Sequence, residues 1–334
     1  MILVTGATGF LGKKLLQHLV ASGNGDPQLP RPVRALVRDP ARLTPDLRFD
    51  NVEWIQGDVL DVVSLEEAMQ GVTHVYHCAA VVSFDASDHK TMMQVNAIGT
   101  ANTVNAALAS GVKKMLHVSS TAALGRQTQS NMIDENAVWK KSPNNSVYAL
   151  SKYLAEREVW RGTQEGLPAV IVNPSVIIGP GDWNRGTPRL FHASRRGMPA
   201  YPRGTNAFVS VHDVVICMVE LMNGNFENER FVLTAENVSY RDFFTWVTQT
   251  LGVKTPTVSL PKWSTEITWR LSALLHKTLG VYPLLTRETA RTVNGTFHYS
   301  NEKIKQRLGY NFTPAKQFIS DTALAYKQSM SGRS

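Results

Sequence analysis

Two cysteines in 334 residues, Cys78 and Cys217, are too few for a disulfide framework, and their spacing matches no metal-ligand pattern. Such usage fits a reducing cytoplasm. No apolar run approaches the ~20 residues that span a bilayer. The apolar N-terminus reaches Gly6 with neither a basic flank nor a long apolar stretch, so it reads as a first strand rather than a signal peptide. Low-complexity tracts, blocks of like charge and repeats at solenoid or propeller spacing are all missing, which excludes a disordered tail and a repeat array. The formal charge of +8 is spread over scattered lysines and arginines without a basic helix or RNA-binding signature. Nucleic acid is therefore not expected as a partner, and an anionic small molecule accounts for the charge more simply.

What is present is an ordinary globular composition, 43% hydrophobic and 19% charged, on a chain longer than one compact domain. Two unequal lobes sharing a cleft are expected. Met1–Thr5 is a short apolar run, Phe10–Ala21 has helical spacing, and Val33–Val37 is again strand-like. Further strands are expected at Val52–Gln56, His74–Cys78, Met115–Val118 and Ala169–Val172, with helices at Val63–Met69, Lys90–Ala109 and Val147–Glu165. Such alternation predicts a parallel sheet covered on both faces. After Pro174 the pattern breaks into loops, short helices and short strands such as Phe231–Thr234 and Thr257–Leu260, where most of a second lobe is placed. Gly23–Pro32 reads as a surface loop away from the ligand cleft. Pro261–Leu285 has helix-like apolar intervals, expected to pack in a core and able also to cover the cleft or rest on a membrane surface. Ser300 caps a helix over Asn301–Leu308 that ends at Gly309.

The segment from Thr5 to Gly12 joins the first strand to the first helix. Its glycines Gly6, Gly9 and Gly12 allow a tight turn and close approach of backbone to a pyrophosphate, with Thr8, Phe10 and Leu11 in the same loop and the helix N-terminus facing the phosphates. The order strand, turn, helix, strand gives this trio its weight. At the end of the second strand an acid would serve a ribose hydroxyl and an arginine a 2′-phosphate. Arg38 stands there, favouring NADP, while the adjacent Asp39 keeps NAD open. Asp58 and Val59, after the third strand, can meet an adenine, although an aspartate at a strand end is often only a helix cap. Ala79 and Ala80 end the fourth strand with side chains small enough for a cofactor to lie against the sheet.

Tyr148 and Lys152 stand one helical turn apart and share a face. An ammonium beside a tyrosine favours the phenolate, which makes proton transfer feasible near neutral pH. Ser119, Ser120 and Thr121 close the fifth strand and bring hydroxyls to the same edge. There Thr121 would polarise a carbonyl and Tyr148 would donate a proton to its oxygen. A Ser/Thr cluster after a strand is more usually turn chemistry, so its weight comes from the pairing with Tyr148 and Lys152.

These residues, with Val33–Asp39, Val95–Asn102 and Asn173–Asp182, resemble the extended short-chain dehydrogenase/reductases across essentially the whole chain. Within them the dihydroflavonol-reductase and 3β-hydroxysteroid-dehydrogenase-like branch is the nearest likeness. The resemblance implies a Rossmann doubly wound parallel sheet over residues 1–174 and a smaller mixed α/β substrate lobe over 175–330, with some segments returning to the first. It gives Thr121 the catalytic hydroxyl position, with Ser120 as its rival, Tyr148 the acid/base role, and Lys152 a second role on the nicotinamide ribose. Arg38 falls at the 2′-phosphate position and Pro174 beside the nicotinamide. Threonine at 121 departs from a common serine, and Asn173 from a frequent arginine.

The expected activity is NADP-dependent interconversion of a carbonyl and a secondary alcohol on a small apolar molecule. A nucleotide-sugar epimerase or dehydratase with bound NAD, or a non-catalytic NADP sensor, are the alternatives, and a homodimer is left open. The far wall of the cleft, Gly179–Gly204, mixes Trp183, Phe191, Met198 and Tyr201 with five arginines; the aromatics suit an apolar ring, the arginines a diphosphate. A packed helix with a solvated basic face accounts for most of them equally well.

Overall fold

The computed structural model describes residues 1–22, 32–125, 132–142, 145–261, 267, 269–270, 290 and 292–331. Residues 23–31 of the expected loop Gly23–Pro32 and nearly all of Pro261–Leu285 lie outside the described residues. Five parallel strands arise where apolar runs are too short for helices: β1 (Ile2–Thr5), β2 (Val33–Val37), β3 (Val52–Gln56), β4 (His74–His77) and β5 (Lys114–Val118). Between them run α1 (Phe10–Ser22), α2 (Val62–Met69), α3 (His89–Met93) and α4 (Gly99–Ala109). The stretch expected as one helix over Lys90–Ala109 is interrupted by a π-helical turn at Gln94–Ile98. Next come α5 (Val147–Gln164), β6 (Ala169–Pro174) and β7 (Val176–Ile178).

The C-terminal part contributes α6 (Arg189–Ser194), β8 (Ala200–Tyr201), β9 (Thr205–Ser210), α7 (Val211–Asn223), β10 (Glu229–Leu233) and β11 (Glu236–Ser239). After these come α8 (Tyr240–Leu251), β12 (Val258–Ser259), α9 (Glu302–Leu308) and α10 (Ala315–Ser331). The central sheet has the order β10-β6-β5-β4-β1-β2-β3, and all its pairs are parallel. β10, from beyond residue 174, is thus the seventh strand of the main sheet. Its register, Phe231 against Val172, explains why a strand far down the chain belongs there: it extends the edge beyond β6.

One face is sealed by α1 and α7 over Val4, Leu15, Leu116, Val170 and Met218, the other by α2, α4 and α5 over Leu3, Leu65, Val75, Met115 and Ile171. Lys114 fastens α7 to the sheet, its Nζ donating to the carbonyls of Leu221, Met222 and Gly224 at 2.6–3.0 Å, where a cation complements a helix C-terminus. A third core, around Phe191, Phe208, Phe243, Ile319 and Tyr326, holds α8, α10 and the small sheet β11-β9-β7. No helix among the described residues is long and apolar enough to cross a membrane.

The order in which β1 is followed on one side by β2 and on the other by β4 makes a switch point. The chain leaves β1 toward α1 on one face and β4 toward α4 on the other, so the carboxyl ends of these strands are where a ligand site is expected.

Candidate active site

Gly6 has φ +68°, the left-handed region that glycine tolerates. A Cβ there would lie 2.6 Å from the Ala79 nitrogen and 2.7 Å from its Cα, so the loops after β1 and β4 touch through this glycine. A Cβ on Gly12 would collide with the Gly6 carbonyl, and one on Gly9 would stand 3.2 Å from it. Thr8 and Gly9 are exposed at the N-terminus of α1, and the Gly9 N–H is held by the Gly6 carbonyl at 2.9 Å. The result is an open, side-chain-poor helix start that fits a pyrophosphate. Leu11 is buried in the core, so only its backbone faces the loop. Phe10 packs over the turn at Gly179 and Gly181, tying the cradle to the second lobe.

Arg38 follows β2 and is exposed. Asp39 accepts from the Ala41 N–H at 3.0 Å, capping the 3-10 turn Pro40–Arg42. Asp58 is engaged in the same way: its carboxylate accepts from the Leu60 N–H at 3.0 Å, and Ser64 bonds its backbone. Val59 is buried beneath, against Gly99. Ala79 and Ala80 are partly buried at the end of β4. The backbone just past them is clamped by Asn96, inside the π-helical turn: its side chain accepts from the Val81 N–H at 2.7 Å and donates to the Val81 carbonyl and the Ser151 hydroxyl, both at 2.9 Å.

Beside this cradle stands the α5 edge. Ser146 caps the helix, accepting from the Ala149 N–H at 3.0 Å, and so starts it just before Tyr148. The hydroxyl that faces the Tyr148 phenol belongs to Ser120, the rival of Thr121. Ser120 is the last extended residue after β5 and caps the 3-10 turn Thr121–Leu124 by accepting from the Ala122 N–H at 3.2 Å. Thr121 enters that turn and is buried. Burial pushes the Tyr148 pKa above its ordinary value, and Ser120 only partly opposes this. The phenol is therefore a protonated donor at neutral pH.

Lys152 stands one turn further along α5. The Nζ donates to the Val118 carbonyl at 2.7 Å, and burial lowers its pKa to about 8 against the raising effects of Glu156 and Cys78. Beneath lie His77 and His117, stacked at 5.3 Å. His77 is bonded to Thr5 at 2.8 Å and Thr100 at 2.9 Å. Burial and the nearby lysine lower the pKa of both imidazoles, His77 to about 3, so they stay neutral. Pro174 is buried at the end of β6, beside Asn173. On the open side Phe84 meets Tyr148 edge-on, ring centroids 6.0 Å apart.

Phe84, Asn96, Glu156 and Arg230 were not singled out in the sequence. Asn96 lies within the Val95–Asn102 motif, and Glu156 leaves a local sign one further helical turn from Lys152 on the same face. In the far wall, Phe191 is fully buried, while Trp183, Met198 and Tyr201 pack against the second-lobe core.

A glycine cradle and a Ser/Tyr/Lys edge on one rim of a doubly wound parallel sheet define a class, the dinucleotide-dependent oxidoreductases of the extended short-chain type. The chain belongs to the NAD dependent epimerase/dehydratase family, whose model matches residues 2–233. It is 30% identical over 327 residues, 95% of this chain and 92% of the other, to a Synechocystis sp. protein named "Putative dihydroflavonol 4-reductase". It is 33% identical over 266 residues to "Sterol demethylase protein B" of Methylococcus capsulatus, covering 78% of this chain and 77% of that protein. Among solved structures, gox2253 superposes over 100% of this chain and 99% of its own with a TM-score of 0.81 at 34% identity.

Proposed function

We propose that the protein is an NADP-dependent reductase/dehydrogenase that interconverts a carbonyl and a secondary alcohol on a small apolar substrate. The observation that carries the reading is the Ser120–Tyr148 pair at the carboxyl edge of β5, with Lys152 one turn behind it and the Gly6–Gly12 cradle on the same rim. The dinucleotide, when bound, supplies or accepts the hydride. Ser120 has its oxygen engaged by the Ala122 N–H and its hydroxyl set against the Tyr148 phenol, so the two hydroxyls converge where a carbonyl oxygen would be polarised. Tyr148, kept protonated by burial, gives its proton to that oxygen. Lys152 is held on the Val118 carbonyl with further protons available to a ribose hydroxyl and to the field around the phenol.

Two observations support the finer parts. Asp39 is committed to a helical cap while Arg38 remains exposed, which favours a 2′-phosphate over a ribose diol. The ring of Phe84 against Tyr148 gives the entrance an apolar wall. The division into residues 1–174 for cofactor and mainly 175–330 for substrate belongs to the same reading, as does a small-molecule partner. Oxidation of NADPH and NADH measured against aromatic ketones, steroids, dihydroflavonols and nucleotide sugars tests it. Net NADPH consumption with an apolar ketone is expected. A tightly retained cofactor, turnover of a nucleotide sugar and no net oxidation would replace the reading with an epimerase or dehydratase.

A further inference from the structure

Glu156 is a carboxylate 2% exposed, buried on α5 two turns beyond Tyr148 and one beyond Lys152. Such a group is costly unless paired and hydrogen-bonded. Its Oε1 accepts from Asn173 Nδ2 at 2.5 Å, and the same amide donates to the Ser120 carbonyl at 3.0 Å. Its Oε2 lies 3.4 Å from the Arg230 guanidinium, which reaches in from β10. Arg230 also donates to the carbonyls of Glu135 at 2.7 Å and Ala137 at 2.8 Å, in the chain that leads from the Ser120 turn to α5. The Glu135 carboxylate in turn accepts from the Val232 N–H of the same strand.

We propose that Glu156 and Arg230 are positioning residues: a buried ion pair that, through Asn173, fixes the Ser120 backbone and supplies the counter-charge for the Lys152 ammonium. The inference rests on the oxidoreductase reading for its catalytic consequence, but its electrostatic content stands apart from it. Among the described residues, the titratable groups that act on Lys152 or feel it are Glu156 on α5, His77 at the end of β4, Cys78 just after it, and His117 in β5. Both imidazoles are neutral, and burial pushes the Cys78 thiol up to about 12. Glu156, paired with Arg230, is therefore the group whose negative charge raises the Lys152 pKa. Burial raises the Glu156 pKa, and Arg230, Asn173 and Ser119 oppose that rise. Beyond Arg230 stand Glu135 and Lys303. Arg230 thus acts on Lys152 indirectly, by keeping Glu156 ionised.

The test is a lysine side-chain NMR titration of the protein without added substrate, the Lys152 resonance being assigned by its loss in Lys152→Arg. The expected Lys152 midpoint in the parent is about 8, lowered by burial. In Glu156→Gln the midpoint falls by about one or more on the pH scale. In Arg230→Met it falls in the same direction, Arg230→Lys restores it, and the double variant goes no lower than Glu156→Gln, because the two residues act in series. The alkaline limb of kcat moves with the midpoint. An unmoved Lys152 titration in folded Glu156→Gln, or in folded Arg230→Met should Glu156→Gln not fold, would overturn the proposal. A moved titration in a protein that reduces no carbonyl would overturn the oxidoreductase reading and leave the ion pair standing.

Discussion

Tyr148 and Lys152 rise from the same face of α5, one turn apart, yet they are held by different partners: the phenol faces the Ser120 hydroxyl, while the ammonium donates to the Val118 carbonyl at 2.7 Å. Both partners come from the end of β5. The helix supplies acid and cation, and the strand fixes where each points.

Ser120→Ala should lower turnover by about 10²-fold, the usual cost of one preorganised donor at a developing oxyanion. Thr121→Val should leave turnover within a few-fold and show itself, if at all, in thermal stability, because Thr121 is buried in the 3-10 turn. Steady-state kinetics of the two variants, normalised to folded protein, give the ranking. The reverse order would return the hydroxyl role to Thr121.

The pH dependence follows from Lys152. Its pKa falls from 10.5 unfolded to about 8 folded, so between those values the unfolded chain binds the extra proton. The slope of unfolding free energy with pH is then positive, and this group's burial penalty, present in full below about 8, is relieved as pH rises toward 10.5. Function runs the other way, since the ammonium is lost above about 8. Cofactor affinity and kcat should therefore decline above that pH while the Lys152 contribution to stability improves. Titration calorimetry and thermal melts across the alkaline range distinguish this from general unfolding, which would make all three fall together.

Arg38→Ala should weaken NADP by about one to two orders of magnitude and leave NAD nearly unchanged, since a charge-assisted hydrogen bond contributes roughly 1.5–3 kcal/mol. Binding titrations of both cofactors to both proteins measure it. Equal losses would place Arg38 on the adenine or the fold, and tighter NAD binding by the parent would mean that Asp39 leaves its cap to serve the ribose.

Much of this was legible in the sequence because its signals are local. The glycine cradle, the strand runs and the Tyr148–Lys152 spacing each lie within a few residues, and the strands formed the expected parallel sheet. What was not legible depends on groups brought together from afar. Ser120 and Thr121 are adjacent and chemically alike, so only the point where extended backbone gives way to the 3-10 turn decides which hydroxyl meets the phenol. Arg230 is 74 residues from Glu156, and nothing near it announces a catalytic neighbourhood until β10 pairs with β6. Helical spacing puts Lys152 near Tyr148, but nothing local announces that its Nζ also donates to the Val118 carbonyl of β5.

The most direct test of the oxidoreductase reading is the stoichiometry of NADPH consumed to alcohol formed on an apolar ketone, measured in parallel for the parent protein and Tyr148→Phe. The phenyl ring keeps the packing against Phe84 and removes only the transferable proton. One NADPH per alcohol is expected for the parent, with turnover reduced by about 10²-fold or more in the variant and cofactor affinity preserved. Undiminished reduction by Tyr148→Phe, its cofactor affinity intact, would contradict the account.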